Sequence, residues 1–400
     1  MNTVPKTIWH VGGEDIRFRI PLLLALRDRG FNVGAVGSEN GDAFANHQIP
    51  YYRYTLEREI NALADIQTRT QLFNLFSKYK PDVVHGFDTK PAMITPIVAM
   101  KAKIPGRVRT INGMGYIFSS NSPLALTLRP IYRYLQRKAS AAAGITVFQN
   151  LDDREYFRKH KMVKDGCDDL VLGSGIDIEQ LIKNRPNPKQ LAVIRQELGL
   201  EEQLVVTMIA RLVVSKGVME YLDAAKIVCQ QMQGVKFILI GPFSSEGRQA
   251  VPIEAVQQQA KFVSYLGIRN DISTLLSLSD LFVLPSYREG MSRVLLEAGA
   301  MELPLITTNT PGCKDVVQDG WNGLLVPPRN AKALATAILQ LLKSKDQRIL
   351  MGTRSGIHVR ENFSLKKVAD SYTNIYYRAL GLPHLEQHQL NKFRNEVNYL

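Results

Sequence analysis

The sequence predicts an α/β fold of two doubly wound parallel-sheet halves, on three observations. Short apolar strands alternate with helix-length runs from Thr7 to Phe148, and the same alternation restarts at Leu204. A stretch rich in Gly, Pro and polar residues, Gly173 to Gln190, separates the two sets. Four hundred residues, 45% of them hydrophobic, can bury the cores that such an arrangement needs.

In the first half, Thr7-Ile-Trp-His-Val11 reads as a strand ending in Gly12-Gly13. Arg19 to Arg29 is amphipathic, with Gly30 placed as the helix stop, and Phe31 to Val36 alternates as the next strand. Ile66 to Tyr79 reads as a helix, and Pro81-Asp-Val-Val-His85 opens a further strand. Val108–Ile111 and Ile145–Phe148 complete the set. The turn Gly12-Gly13-Glu14-Asp15-Ile16-Arg17 lacks the G-x-G-x-x-G spacing, which removes the main support for NAD or FAD binding. A Gly-Gly turn still lets a ligand approach the backbone closely. Asp152-Asp153 opens a helical pattern and reads as a capping pair rather than a metal motif. His10 and His85 read as ordinary strand-end histidines.

In the second half the strands are Leu204–Ala210, Val235–Ile240, Phe262–Leu266, Leu281–Leu284 and Leu305–Thr308. The most informative stretch runs from Ser286 to Pro328. Glu289 and Glu297 are separated by seven residues, with Gly290-Met291-Ser292 and the start of a helix between them. Ser292 is placed to cap that helix. Eight residues at helical rise span about 12 Å, as far as a nucleotide's ribose lies from a sugar beyond its diphosphate. Amides at the helix start suit the diphosphate, and each carboxylate suits hydroxyls, Glu297 those of the ribose and Glu289 those of the sugar. Strand, loop, helix and strand in this order put the pair at the carboxyl edge of a parallel sheet, where open α/β folds bind ligands. Ala210-Arg211-Leu-Val-Val-Ser-Lys-Gly217 follows the first strand of this half, offering a guanidinium fork and a compact ammonium for phosphate oxygens.

The run REGMSRVLLEA followed by PGCKDVVQDGWNGLLVPP resembles the donor-site signature of family-4 glycosyltransferases. These are retaining sugar transferases of the GT-B fold, in which two Rossmann-like doubly wound domains face one another across a cleft. The form here is similar to the branch acting on lipid-linked saccharides in bacterial surface polysaccharide synthesis. The resemblance implies a UDP-sugar donor, with Arg211 and Lys216 clamping its diphosphate and Met291, Ser292 and Arg293 lending backbone amides. It implies retention of anomeric configuration by front-face transfer, the leaving phosphate receiving the acceptor's proton, and no cofactor or metal. In the first half it places Gly13 near the donor phosphates and Lys90 toward a donor or acceptor phosphate. Asn112 stands where many members carry a His that touches the transferred sugar; Asn can donate and accept a hydrogen bond but cannot titrate near neutral pH. Gly113 and Gly115 would loosen the backbone beside it. The expected domains are 1–178 on the acceptor side, a linker region at 179–203, and a nucleotide-sugar domain at 204–364. A helix at 365–382 would return to the first domain, and 383–400 forms a polar tail, read as a loose helix or disordered.

A net charge of +13 implies an acidic partner. From Thr89 to Leu151 there is no acid but nine Lys or Arg, including Arg107, Arg109, Arg129, Arg133, Arg137 and Lys138, interleaved with apolar residues such as Ile117-Phe118. That pattern suits an anionic membrane surface or a lipid-linked diphosphate; no nucleic-acid recognition motif accompanies it. No secretory signal and no apolar run of about 18 residues is present, and Cys167, Cys229 and Cys313 have no metal-ligand spacing. A cytoplasmic protein peripheral to the inner membrane face is expected. The alternatives are a nucleotide-sugar epimerase of GT-B fold and a non-catalytic sugar-nucleotide-binding protein.

Overall fold

A computed structural model describes residues 4–57, 61–114, 118, 123–200, 202–243 and 250–383. Gly115, Ile117 and the tail 384–400 lie outside the described residues. The chain divides into two compact units, Met1–Gly175 joined by the segment from Leu365 onward, and Ile176–Ser364.

The first unit is built on β1 (Thr7–Val11), β2 (Asn32–Gly37), β3 (Tyr51–Arg53), β4 (Val83–Gly86), β5 (Gly106–Ile111), β6 (Ile145–Phe148) and β7 (Asp168–Leu170). They form one parallel sheet in the order β3-β2-β1-β4-β5-β6-β7. β4 and β6 are buried at every residue, as expected of parallel strands covered on both faces, and this is why they read as apolar runs rather than alternating ones. β3 and β7, short polar edge strands, carry no such signal. The Arg19–Arg29 helix is observed as Ile20–Arg27 after a single 3-10 turn.

The helix Leu365–Ala379 packs back onto this unit, burying Tyr372 and Tyr376 in its core with Ile8, Val83 and Val108. The Tyr376 hydroxyl lies 2.9 Å from His10 Nε2 and 2.7 Å from His85 Nδ1, and His85 Nε2 lies 2.7 Å from Thr110 Oγ1. The two histidines are therefore more than strand ends. Both are fully buried and link the sheet to the returning helix, and burial, reinforced by Arg19, lowers their pKa values well below the usual range.

The second unit carries β8 (Leu204–Ile209), β9 (Val235–Ile240), β10 (Val263–Tyr265), β11 (Leu281–Leu284), β12 (Leu305–Thr308) and β13 (Gly323–Val326). The sheet is again parallel, in the order β10-β9-β8-β11-β12-β13. Within the segment expected as a linker, helices occupy Ile178–Lys183 and Pro188–Glu197. The polar, Pro-containing sequence there is a helix start: Asn187 and Gln190 form a capping box and Pro188 occupies the first turn. Asp152 and Asp153 stand in the first turn of a helix as expected, but neither is its cap. The cap of Leu151–Lys159 is Asn150, which accepts from the Asp153 N–H, while the buried Asp153 carboxylate takes the Asn150 amide.

Candidate functional site

The second unit brings Arg211, Lys216, Glu289, Gly290, Met291 and Ser292 to the loops that follow β8 and β11, neighbours in the sheet, with Arg293 and Glu297 on the helix that the second loop leads into. Two glycines set the approach of the backbone. Gly217 has φ +74°, and a Cβ there would lie 2.1 Å from the Pro285 carbonyl oxygen, so the Arg211–Gly217 loop packs directly on the end of β11. Gly312 has φ +78°, and a Cβ would lie 2.5 Å from the Glu289 carbonyl oxygen. The loops are then laced together. Tyr287 N–H donates to the Ser215 carbonyl at 2.9 Å, and Glu289 N–H to the Pro311 carbonyl at 3.0 Å.

On this frame the Lys216 ammonium meets both carboxylate oxygens of Glu289, at 2.6 and 2.7 Å. The side chains are 23% and 11% exposed, so the pair is shielded but reachable. Arg293 and Glu297 form a second pair at 2.8 Å along the helix Arg293–Ala300. Ser292 caps that helix as expected, its hydroxyl accepting from Leu295 N–H. Its own N–H is directed to the Gly312 carbonyl at 3.4 Å, so this amide, expected at the phosphates, already has a partner. Arg211 is exposed at the mouth of the loop. The buried Cys313 thiol is pushed up to about 11, by burial first and then by the Glu289 charge, and stays a thiol.

In the first unit the expected residues group differently. Gly13 N–H donates to Asp88 Oδ2 at 3.1 Å and Asn112 Nδ2 to Asp88 Oδ1 at 3.1 Å, so the ends of the adjacent strands β1, β4 and β5 converge on one carboxylate. The buried Tyr54 donates to the Gly12 carbonyl at 2.9 Å, and burial, then Asp88, pushes its phenol far up. Lys90 turns elsewhere: its ammonium pairs with Asp65 at 2.7 Å and donates to the Glu57 carbonyl at 2.8 Å. Asp88 and Gly312 are the contributors that sequence reasoning missed. Gly312 lay within the signature and could have been singled out as the glycine of Pro311-Gly312; Asp88 lies in the His85–Pro91 segment after a buried strand, which reads as cleft material but from which only Lys90 stands out.

The acid-free region is only partly a surface. Arg109 is fully buried, donating to Gln136 Oε1 at 2.6 Å and Thr146 Oγ1 at 2.9 Å, and burial lowers its pKa to about 10. Counting it as a surface cation was wrong, because a strand covered on both faces hides whatever it carries. Arg107 is likewise committed to the carbonyls of Ala142 and Ile104. The helix Pro123–Ala142 does present Leu126, Ile131, Tyr134 and Leu135 to solvent, with Arg137 and Lys138 exposed beside them. No helix among the described residues is long and apolar enough to cross a membrane.

Comparisons with known proteins agree with this geometry. Residues 10–146 match the family model "Glycosyl transferase 4-like" and residues 192–355 match "Glycosyl transferases group 1", together most of the chain. A Campylobacter jejuni N,N'-diacetylbacillosaminyl-diphospho-undecaprenol alpha-1,3-N-acetylgalactosaminyltransferase is 25% identical, over 93% of this chain and 97% of its own length. An Escherichia coli UDP-Gal:alpha-D-GlcNAc-diphosphoundecaprenol alpha-1,3-galactosyltransferase is 26% identical, over 86% of this chain and 89% of its own. Among solved structures, Anabaena Alr3699/HepE in complex with UDP and glucose superposes with a TM-score of 0.74 at 18% identity, covering 92% of this chain and 98% of that one. WaaG, a glycosyltransferase involved in lipopolysaccharide biosynthesis, gives 0.71 at 16%, covering 92% and 99%. The resemblance seen in the sequence and the two parallel-sheet units therefore agree: the chain belongs to the GT-B glycosyltransferases that join a glycosyl transferase 4-like domain to a group 1 domain.

Proposed function

We propose that the chain moves a hexose or N-acetylhexosamine from a UDP-sugar to a polyprenyl-diphosphate-linked saccharide or related glycan, with retention and without a metal. The carrying observation is the Lys216–Glu289 pair, which holds a cation and a hydroxyl-accepting carboxylate on one frame. Arg211 and Lys216 bind the diphosphate, Glu297 the ribose and Glu289 the transferred sugar. As the anomeric C–O bond to phosphate breaks, negative charge grows on the leaving oxygen, and fixed cations stabilise it without a metal. The acceptor oxygen bonds to the anomeric carbon from the face the phosphate leaves, and its proton passes to a phosphate oxygen, giving UDP and the extended glycan.

The names of the curated relatives support a lipid-diphosphate acceptor, and the apolar and basic face of Pro123–Ala142 suits an anionic membrane surface, on the cytoplasmic side. A panel of UDP-sugars assayed for acceptor-dependent UDP release tests the reading. Release that requires both a specific UDP-sugar and an undecaprenyl-diphosphate saccharide supports it. Conversion of the donor to an epimer without acceptor, or binding without any release, would replace it.

A further inference from the structure

Lys216 and Glu289 are not the only side chains that join the segments after β8 and β11. The Tyr287 hydroxyl donates to Glu220 Oε1 at 2.7 Å. Glu220 stands one turn on from Lys216, in the first turn of the helix Val218–Gln231, where the helix dipole favours an acid. Among the described residues Tyr287 is the only hydrogen-bond partner of the Glu220 side chain, whose second oxygen is buried without one. Burial, then the Glu220 carboxylate, pushes the Tyr287 phenol above its ordinary range, so it keeps its proton and donates. A third segment holds the ring. The Arg329 guanidinium, just past β13, lies 4.5 Å from the ring centre. Arg329 has a φ of 59°, a left-handed conformation that side-chain-bearing residues avoid and that its surroundings must enforce.

The two loops are therefore joined at three points: Tyr287 to Glu220, Glu289 to Lys216, and the Tyr287 N–H to the Ser215 carbonyl. One hydrogen bond leaves two segments free to pivot about it, whereas several at separate points fix their register. Donor binding, as read above, gives Lys216 a phosphate and Glu289 a sugar hydroxyl. An ammonium has three donors, and two contacts here go to Glu289, so each partner must loosen its hold on the other. The Tyr287–Glu220 contact lies outside that exchange.

We propose that Tyr287 and Glu220 are positioning residues, whose hydrogen bond keeps the Glu289 carboxylate in register with the Lys216 ammonium so that one UDP-sugar meets both. The inference rests on the glycosyltransferase reading. Neither residue touches the donor; each acts through the segment that carries one that does. Out of register, the diphosphate still finds Arg211 and Lys216, but the sugar is misplaced against Glu289. The loss then falls on the sugar's share of binding and on the transfer step.

The test uses the full chain. Tyr287→Phe keeps the ring beneath Arg329 and removes only the donor, Glu220→Ala removes the acceptor, and Glu220→Gln keeps an oxygen in its place. Titration calorimetry with UDP and with a panel of UDP-sugars, without acceptor, gives the ratio of their affinities. UDP release at saturating donor, with acceptor, gives kcat. In Tyr287→Phe and Glu220→Ala we expect UDP affinity within about twofold of wild type, while the UDP-sugar to UDP affinity ratio and kcat each fall about tenfold. The double variant should be no worse than either alone, because the same bond is removed once. Glu220→Gln should regain about threefold, a neutral hydrogen bond being about half as strong as a charge-assisted one.

A purely structural role lowers Tm and leaves the affinity ratio and kcat of the folded enzyme intact, and that result overturns the proposal. So does a Glu220→Gln enzyme as impaired as Glu220→Ala. Should Glu220→Ala fail to fold, Tyr287→Phe against wild type decides alone. Wild type that binds UDP-sugars but releases no UDP with any acceptor overturns the glycosyltransferase reading instead, and the affinity ratio still decides this one. Wild type that binds no UDP-sugar overturns both.

Discussion

Replacing Lys216 by Met removes the ammonium that lies 2.6 and 2.7 Å from the two oxygens of Glu289 while keeping the length of the side chain. At an effective dielectric of about 20 the bare attraction at this distance is about 6 kcal/mol. Desolvation of both ions offsets most of it. With the partners 23% and 11% exposed, the loss should fall between about 1 kcal/mol for an exposed pair and about 3–5 for a broken buried one, or about 2 kcal/mol. For a unit of this size that is about 4–8 °C in Tm. Glu289→Gln should cost less, because Lys216 is the better solvated partner. The double variant should lose less than the sum, with a coupling of about 1–2 kcal/mol. Donor kcat/KM should fall by about ten- to a hundredfold, the value of a charge-assisted hydrogen bond to phosphate. Differential scanning calorimetry and UDP release measure the two effects. A variant within about 0.5 kcal/mol of wild type, with donor kcat/KM within about twofold, would refute the assignment of Lys216.

Gly217→Ala combines a left-handed φ of +74° with a methyl 2.1 Å from the Pro285 carbonyl oxygen, and should cost more than about 2 kcal/mol while weakening UDP binding; a neutral substitution in thermal melts would contradict the packing. His10 and His85 have folded pKa values below the ordinary 6.5. The unfolded chain therefore takes up protons first as pH falls, so the stability these groups provide is complete above that value and declines below it. Each contributes up to about 1.4 kcal/mol per pH unit until its folded pKa is reached. Tm should therefore fall more steeply toward pH ~5 in wild type than in His85→Gln, and equal slopes would count against the buried pair. If the Pro123–Ala142 helix meets lipid, Ile131→Glu with Tyr134→Glu should abolish sedimentation with anionic vesicles and leave neutral-vesicle controls unchanged; retained binding would send the search to another face.

Much of the architecture could be read because parallel strands covered on both faces write themselves as unbroken apolar runs. β6, β9, β11 and β12 appear at the residues the sequence gives them. β3 and β7 are three-residue polar edges, and β13 lies inside a signature read for its ligand rather than its backbone. The helix Pro188–Glu197 was hidden because Pro and Asn mark a helix start and a linker alike. The loops and helix that carry Arg211, Lys216, Glu289 and Glu297 could be picked out from the spacing of the two acids and the cations after β8. Asp88 could not, because its role depends on two partners 75 and 24 residues away. Arg109 was misread for a related reason: composition records a charge but not the face of the strand that carries it.

The central claim is that fixed positive charge holds the nucleotide's diphosphate, and comparative titration of UDP and uridine tests it most directly. Wild type should bind UDP well above uridine, and Arg211→Ala and Lys216→Met should each lower UDP affinity by about tenfold or more while leaving uridine unchanged. Equal UDP affinity in wild type and both variants would contradict the account.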